Sequence, residues 1–346
     1  MTIYVGSRTT KARKAEGEGI TVYEEKGGSW QKFQTLPCLE NPSYFCGNRA
    51  GSRLYAIHGD GCTATALARA KDGTLTELNT VPVYGTNPVH LVLSPKETSL
   101  YVASLETGSV AQVAVEADGS LGAVRQLTFV PGQPGHGYVS HPHQVCLDPS
   151  GRWLLVPAQG RDHGVGGVTV YAIHPETEEL EARFFWQARP GAEPRHMAFH
   201  PNGKFVYLVN EKDSTVLFFH FDPETGSLEP QQLLTSLPED YFGPGWASGI
   251  VMGKGGQALY VSNRTHDSVT VYALEPETGR MTYVQNVLTG GRQPRFIGLN
   301  PEGTELVAAN ELTHTLSRFA VQKAGTLVKK TEEIPAGSPV CVWWQA

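Results

Sequence analysis

Two sets of polar side chains recur at matching places in the chain, and their types suit proton transfer and anion binding. The first set directly follows a proline that opens a short apolar run: His143, Arg195 and Arg295. The second set ends the next apolar run of the same repeat: Arg8, Gln159, Glu211, Arg264 and Glu311. Guanidinium groups bind carboxylates and phosphates through paired hydrogen bonds, and an imidazole exchanges a proton near neutral pH. Together these groups indicate a site for an anionic ligand with a general base beside it.

His143 is the candidate proton carrier, because an unperturbed imidazole has a pKa of about 6.5. Glu211 could be a base or could orient an arginine, and both roles stay open. An arginine and a glutamate can also form a plain ion pair, an interpretation that stays open for Glu311 and Arg8. We predict four catalytic residues: His143, Arg195, Glu211 and Arg264. We predict five substrate-binding residues: Arg8, His141, Gln159, Asn263 and Arg295.

The elements that must position these groups are short β-strands. Short β-branched and aromatic runs alternate with turn formers such as Pro201-Asn202-Gly203, as in successive antiparallel hairpins. The pattern restarts at intervals of 46, 54, 52, 54, 46 and 45 residues, at Pro42, Pro88, Pro142, Pro194, about Ser248, Pro294 and Pro339. This period predicts an all-β, seven-bladed propeller with four antiparallel strands, A to D, in each blade. In such a fold the two polar sets surround one mouth of the central channel.

The seventh blade is predicted to be shared between the two ends of the chain. Only one strand, Pro339–Trp344, follows the last restart, while three more runs precede the first: Ile3–Val5, Ile20–Tyr23 and Trp30–Leu36. Joining them in one sheet closes the ring and leaves no unpaired inner edge. No linker or change of composition interrupts the repeat, so we predict a single domain over residues 1–346.

Composition narrows the class of partner. The net charge of -6 and the absence of a Lys/Arg run argue against nucleic acid and against an anionic membrane surface, which leaves a small molecule. The N-terminus shows no signal-peptide pattern, so we expect a soluble cytoplasmic protein, either a monomer or a small homo-oligomer. Five widely spaced cysteines are expected to be buried thiols: Cys38, Cys46, Cys62, Cys146 and Cys341.

Metal and covalent chemistry are not expected, and no cofactor is predicted. His141 and His143 could mimic a metal-binding pair, but the sequence fixes no third ligand, although His136, Asp162 and His163 stay possible. A Gly-x-Ser-x-Gly nucleophile motif is missing, and no cysteine lies in the register of His143. We expect four other histidines to be structural or exposed: His174, His196, His200 and His220.

Four segments resemble the motifs of the seven-bladed propeller lactonase family: Ser140–Val145, Glu193–Gly203, Val209–Glu211 and Ser262–Val269. That family includes the bacterial propeller-type 6-phosphogluconolactonases and the fungal 3-carboxy-cis,cis-muconate lactonizing enzyme. The resemblance covers essentially the whole chain. The catalytic histidine, two arginines and glutamate of the muconate enzyme match residues that register had already selected: His143, Arg195, Arg264 and Glu211.

The resemblance implies metal-free opening of the lactone of an anionic sugar acid, similar to 6-phosphogluconolactone. His143 would activate water or move a proton, the two arginines would hold the anionic group and the oxyanion, and Glu211 would position them. One alternative is a cycloisomerase that acts on a muconate-type dicarboxylate. Another is a non-catalytic propeller scaffold for protein partners. A calcium-dependent gluconolactonase would need acidic and amide ligands where this chain has arginines.

Overall fold

The computed structural model describes residues 1–37, 40–130, 132, 139–161 and 164–345. Within them, the backbone forms seven antiparallel sheets and one short 3-10 helix, Lys11–Arg13. Residues from all seven sheets line one central cavity, so the sheets are the blades of a propeller. The predicted fold class is therefore confirmed.

The strands of each blade follow one another in the chain, apart from the blade that joins the two ends. Blade 7 holds β1 (Thr2–Ser7), β2 (Ile20–Lys26), β3 (Ser29–Leu36) and the last strand, β29 (Pro339–Gln345). Blade 1 holds β4 (Pro42–Gly47), β5 (Arg53–His58), β6 (Thr63–Arg69) and β7 (Leu75–Pro82). Blade 2 holds β8 (Pro88–Leu93), β9 (Ser99–Ser104), β10 (Ser109–Val115) and β11 (Leu121–Phe129). Blade 3 holds β12 (His141–Pro142), β13 (Cys146–Leu147), β14 (Trp153–Gln159), β15 (Gly167–Ile173) and β16 (Leu180–Gln187).

The remaining three blades repeat the same four-stranded order. Blade 4 holds β17 (Pro194–Phe199), β18 (Phe205–Asn210), β19 (Thr215–Phe221) and β20 (Leu228–Thr235). Blade 5 holds β21 (Ala247–Met252), β22 (Ala258–Asn263), β23 (Ser268–Leu274) and β24 (Met281–Leu288). Blade 6 holds β25 (Pro294–Leu299), β26 (Glu305–Asn310), β27 (Thr315–Val321) and β28 (Leu327–Pro335).

The shared blade closes the ring as the sequence predicts. The sheet order is β29-β1-β2-β3, with the C-terminal strand innermost. Strand β29 pairs with β1 in antiparallel register, with Val5 opposite Val342. Val342 packs among buried residues of blades 6 and 7, including Ile3 and Val307, so this strand seals an apolar layer as well as a hydrogen-bonded edge.

Apolar layers between neighbouring blades form the core. A recurring polar contact crosses these layers, in which a buried tyrosine on the second strand of one blade donates its hydroxyl to a backbone carbonyl in the outer turn of the next blade. Five tyrosines make this bond: Tyr4, Tyr55, Tyr101, Tyr207 and Tyr260. Tyr207, for example, donates to the Gly279 carbonyl at 2.6 Å. The bond satisfies a hydroxyl that burial would otherwise leave unpaired.

The inner strands are irregular where they open at the channel mouth. In blades 1, 2, 4, 5 and 6 the register with the second strand shifts directly after the first residue, as between Pro194 and His196. In blade 3 the inner strand is interrupted between β12 and β13, and His143 lies in this gap. A bulge breaks strict alternation, so two consecutive side chains can face the channel.

The cysteines only partly follow the prediction of buried thiols. Cys46 and Cys341 are buried and Cys146 is half-buried, but Cys62 is exposed, because it lies in the loop between β5 and β6. Cys38 lies outside the described residues. In the part of the chain that the structure describes, no helix has the length and apolar character needed to span a membrane.

Candidate active site

Glu211 is the centre of a buried charge cluster at one mouth of the channel. It follows strand β18, and its Oε2 atom lies 2.9 Å from Nε of Arg195 and 3.1 Å from Nη2 of Arg264. Each guanidinium is also fixed by a hydrogen bond to the backbone: Arg195 donates to the Ser248 carbonyl and Arg264 to the Ala247 carbonyl, each at 2.8 Å. Two neighbouring repeats, blades 4 and 5, thus deliver one carboxylate and two arginines to one point.

Trp246 completes the surroundings of Glu211. Its indole N–H donates to Oε1 of Glu211 at 2.9 Å, and its ring lies 4.0 Å from the guanidinium carbon of Arg264. Both carboxylate oxygens are therefore engaged, one with the arginines and the other with the indole. This arrangement favours Glu211 as the group that orients the arginines, since little of its lone-pair capacity is left for a proton.

His143 approaches the cluster from blade 3. Its Nε2 atom lies 4.0 Å from Oε2 of Glu211, too far for a direct hydrogen bond. On the other side, its Nδ1 atom lies 3.2 Å from Nε2 of His196, so one of these two nitrogens donates to the other. The backbone N–H of His143 donates to the Pro157 carbonyl at 2.9 Å, which fixes the backbone from which the imidazole projects. The imidazole is thus held from two sides.

Burial and charge set the protonation states in this cluster. Burial, and then the neighbouring Arg195, lower the pKa of His143 well below its usual range, so the imidazole is neutral at pH 7. Burial alone would raise the pKa of Glu211, but Arg264 and Arg195 outweigh it and keep the carboxylate ionised. Burial, and then Arg264, lower the pKa of Arg195 to about 9, which still leaves this guanidinium charged at neutral pH. A neutral imidazole therefore faces fixed charges.

The predicted residues Arg8 and Arg295 lie apart from the Glu211 cluster but face the same channel. Together with Arg195 and His143 they line a central cavity of about 40 Å³, room for a few water molecules. Arg8 is only 3% exposed. The nearest carboxylate to Arg8 belongs to Asp60, with Nη1 and Oδ2 3.5 Å apart. Nη1 of Arg295 lies 3.9 Å from Oε2 of Glu311.

Three other residues that we predicted to bind substrate do not point into this cavity. Asn263 is fully buried in blade 5, where its amide donates to Ser236 and its side-chain oxygen accepts from the same serine, so the substrate-binding prediction is not supported. His141 donates its Nδ1–H to the Leu105 carbonyl at 2.8 Å. Gln159 is buried and accepts a hydrogen bond from Arg161. His141 and Gln159 therefore border the site without lining its centre.

Sequence reasoning missed His196 and Trp246. His196 was expected to be structural or exposed, but it is 8% exposed and contacts both His143 and the cavity. The signal was available, because the second residue after the opening proline is aromatic in four blades: Tyr44, His90, His196 and Phe296. Strict strand alternation turns this position away from the channel, whereas the bulge brings it back.

No group of three His, Cys, Asp or Glu side chains suited to a metal ion occurs among the described residues. The possible third ligands that the sequence suggested for His141 and His143 were His136, Asp162 and His163, and all three lie outside the described residues. The charges that act on His143 are the guanidiniums of Arg195 and Arg295, which repel a cation, and the carboxylate of Glu211, which the arginines already engage.

The chain is similar to known proteins in both sequence and structure. A sequence profile described as "Lactonase, 7-bladed beta-propeller" matches residues 2–344. A protein named 6-phosphogluconolactonase from Bacillus subtilis (strain 168) is 30% identical over 356 residues, covering 99% of this chain and 98% of that protein. A 6-phosphogluconolactonase from Cronobacter sakazakii (strain ATCC BAA-894) is 30% identical over 275 residues, with 79% of this chain and 78% of that protein covered. The solved structure of the periplasmic gluconolactonase PpgL from Pseudomonas aeruginosa has a TM-score of 0.90 and 28% identity, and the match covers 100% of this chain and 99% of that chain.

Proposed function

The chain belongs to the seven-bladed β-propeller lactonase family, and we propose that it hydrolyses the lactone of an anionic sugar acid similar to 6-phosphogluconolactone. The observation that carries the proposal is the placement of the neutral, buried His143 beside Arg195, Arg264 and Glu211. A lactone carbonyl needs a water activated by a base and a positive site for its oxyanion. This cluster supplies both.

His143 is the general base in this proposal. When its Nδ1–H donates to His196, its Nε2 atom carries a free lone pair that faces Glu211 across 4.0 Å. A water molecule bound between them would donate one hydrogen to Nε2 and the other to the carboxylate. As the water oxygen attacks the carbonyl carbon, its proton passes to His143, and the carbonyl π electrons move to the oxygen.

Arg195 and Arg264 stabilise the resulting oxyanion. Each is fixed by a backbone carbonyl and by Glu211, so little reorganisation is needed when negative charge develops. Collapse of the tetrahedral intermediate breaks the bond to the ring oxygen. That oxygen takes the proton from His143 and becomes a free hydroxyl, while the other water hydrogen stays on the new carboxylic acid, which ionises by releasing it to solvent. One water is consumed, and the enzyme returns to its starting state.

We propose that the reaction needs no metal ion. Arginines outnumber the one carboxylate, Glu211, near His143, and they can hold an oxyanion directly and disfavour a bound cation. Full activity after exhaustive treatment with EDTA is the expected result. Loss of activity that calcium restores would favour the metal-dependent alternative instead.

The decisive experiment measures 6-phosphogluconolactone hydrolysis by the wild type and by His143→Ala, corrected for spontaneous ring opening. The variant is expected to lose about 100-fold or more in kcat, as for a general base. His220→Ala is the matched control, because His220 is an exposed histidine of strand β19 in the neighbouring blade. Equal rates for wild type and His143→Ala would exclude His143 as the base.

A parallel assay separates hydrolysis from cycloisomerisation, because the two reactions share this kind of site but differ in substrate. Ultraviolet absorbance follows the cyclisation of a carboxy-muconate. Turnover of muconate without lactone hydrolysis would replace the proposed function with the cycloisomerase. The cytoplasmic location and the oligomeric state stay predictions of the sequence.

A further inference from the structure

Two arginines at the central cavity are poorly neutralised, although both are close to the proposed reaction centre. Arg8 is 3% exposed, and two of its nitrogens, Nε and Nη1, have no hydrogen-bond partner among the described residues. Within the described part of the chain, the one carboxylate that pairs with Arg295 is the distant Glu311, at 3.9 Å. A buried guanidinium with unused donors costs stability unless something else binds them.

The ion pairs around the cavity point the same way. Five guanidiniums contact three carboxylates, in the groups Arg195–Arg264–Glu211, Arg8–Arg13–Asp60 and Arg295–Glu311. These three groups together carry two uncompensated positive charges. Among the described residues, no carboxylate lines the cavity itself, whereas Arg8, Arg195 and Arg295 do.

The positive charge around the cavity lies in two regions, one beside Glu211 and the other beside Asp60. Arg195 and Arg264 share its carboxylate and are directed at the place where an oxyanion forms. Asp60, in contrast, is mainly engaged by Arg13, which makes a two-point pair with it, so Asp60 only partly neutralises Arg8. One of the two surplus charges therefore lies on the side of the cavity formed by Arg8 and Arg295, and the other lies with Arg195 and Arg264.

We propose that Arg8 and Arg295 form a separate anion subsite that binds an anionic group of the substrate remote from the lactone, either a phosphate monoester or a carboxylate. The inference rests on the proposed function and extends it, since a neutral gluconolactone would leave this subsite unused. Guanidiniums suit such a group because they offer paired donors to its oxygens. The two arginines act on binding, whereas the Glu211 cluster acts on the reaction.

Asp60 gives the subsite a distinctive test. Its carboxylate competes with a bound anion for Arg8, so Asp60→Asn should strengthen anion binding. The backbone of Asp60 has a φ of 67°, a conformation that asparagine adopts readily, so this change is mild. If the Arg8–Asp60 contact served only to hold the local structure, Asp60→Asn would instead weaken anion binding.

Calorimetry with stable acids, which correspond to the ring-opened products, measures the subsite directly. Three probes are compared: gluconate, 6-phosphogluconate and glucarate, whose distal groups are neutral, a phosphate and a carboxylate. Wild type should bind at least one of the two probes with an anionic distal group, 6-phosphogluconate or glucarate, more tightly than gluconate, and the preferred probe identifies the chemistry of that distal group. Arg8→Gln and Arg295→Gln should each lower the affinity for the preferred probe by about 10- to 100-fold, as expected for one charged hydrogen bond. Neither variant should change the affinity for gluconate.

Arg189→Gln is the matched control. Arg189 is an exposed arginine of the same mouth that pairs with Asp213, and its loss should not change any of the three affinities. Equal affinities of wild type for all three probes, or an unchanged preference in both cavity variants, would overturn the subsite. If wild type binds the preferred probe through Arg8 and Arg295 but opens no lactone, the subsite stands and the proposed hydrolysis fails.

Discussion

The Nδ1 atom of His143 lies 3.2 Å from Nε2 of His196, and both imidazoles are buried. Burial and the nearby Arg195 lower the pKa of each, so this is a contact between two neutral rings that share one proton. In the proposed mechanism His143 Nδ1–H donates to His196, which fixes the His143 tautomer and leaves its Nε2 lone pair facing Glu211. His196 is therefore a positioning residue for the proposed base.

Substitution of His196 should reduce turnover more than binding. His196→Leu removes the partner of Nδ1, and kcat should fall about 10- to 100-fold, a part of the contribution of a general base, while KM changes little. His196→Gln, which can still hydrogen-bond, should recover part of kcat. Steady-state kinetics and the pH profile of each variant check this. A change confined to KM would contradict a positioning role.

The pH profile of kcat/KM should reflect the buried imidazole. Because burial lowers the pKa of His143, the base stays unprotonated as the pH falls through 6.5, and activity should decline only at lower pH. The stability of the folded protein should also decrease towards acid pH. The unfolded histidines take up protons below about pH 6.5 before the folded ones do, so the melting temperature should decrease as the pH falls below that value. An acid limb centred at or above pH 6.5 would argue against this assignment.

Trp246 should contribute to catalysis through Glu211. Trp246→Phe keeps a ring beside Arg264 but removes the indole N–H that binds the carboxylate, so kcat/KM should fall by about 10-fold, the lower end for a hydrogen bond to a charged group. Trp246→Ala also removes the ring, and the fall should be larger. Trp186→Phe, on an outer strand, serves as the control and should leave kcat/KM unchanged. An unaffected Trp246→Phe enzyme would show that the bond to Glu211 is dispensable.

Ring closure should depend on the last strand. Deleting residues 339–346 removes β29 from blade 7 and exposes the apolar layer around Ile3 and Val307, so the melting temperature should fall sharply, with loss of cooperative unfolding. Val342→Ala should cost about 1 kcal/mol or more of unfolding free energy, as for a buried truncation. Val328→Ala, at an exposed site, should cost little. A truncated chain with an unchanged melting temperature would contradict the shared blade.

The tyrosine bonds between blades should be individually measurable. Tyr207→Phe leaves the Gly279 carbonyl without its buried donor, and the free energy of unfolding should fall by about 1 to 3 kcal/mol. Tyr283→Phe is the control, because Tyr283 is 46% exposed. Denaturant titration compares the two. Equal stability of both variants and the wild type would mean that water replaces the lost hydroxyl at no cost.

The sequence by itself determined the fold and most of the proposed catalytic cluster, because both depend on periodicity. Strand repeats of similar length fix the number of blades, and equivalent places in a repeat must face the same mouth. Register alone predicts that Glu211, Arg195 and Arg264 lie together. Register also selected Asn263, whose side chain the structure places in a buried hydrogen-bond network of blade 5. Asparagine ends the second strand in three blades, as Asn210, Asn263 and Asn310, and such recurrence indicates a structural role within the blade.

Only the tertiary structure decided which neighbours the selected residues have. The bulges of the inner strands turn His196 towards His143, and strict alternation does not predict a bulge. The indole of Trp246 reaches Glu211 from a loop whose path no repeat specifies. The sharing of carboxylates among the arginines likewise depends on distances of a few ångströms. Periodicity sets which face a side chain occupies, but hydrogen bonds and charge balance depend on distances that arise when the seven blades pack together.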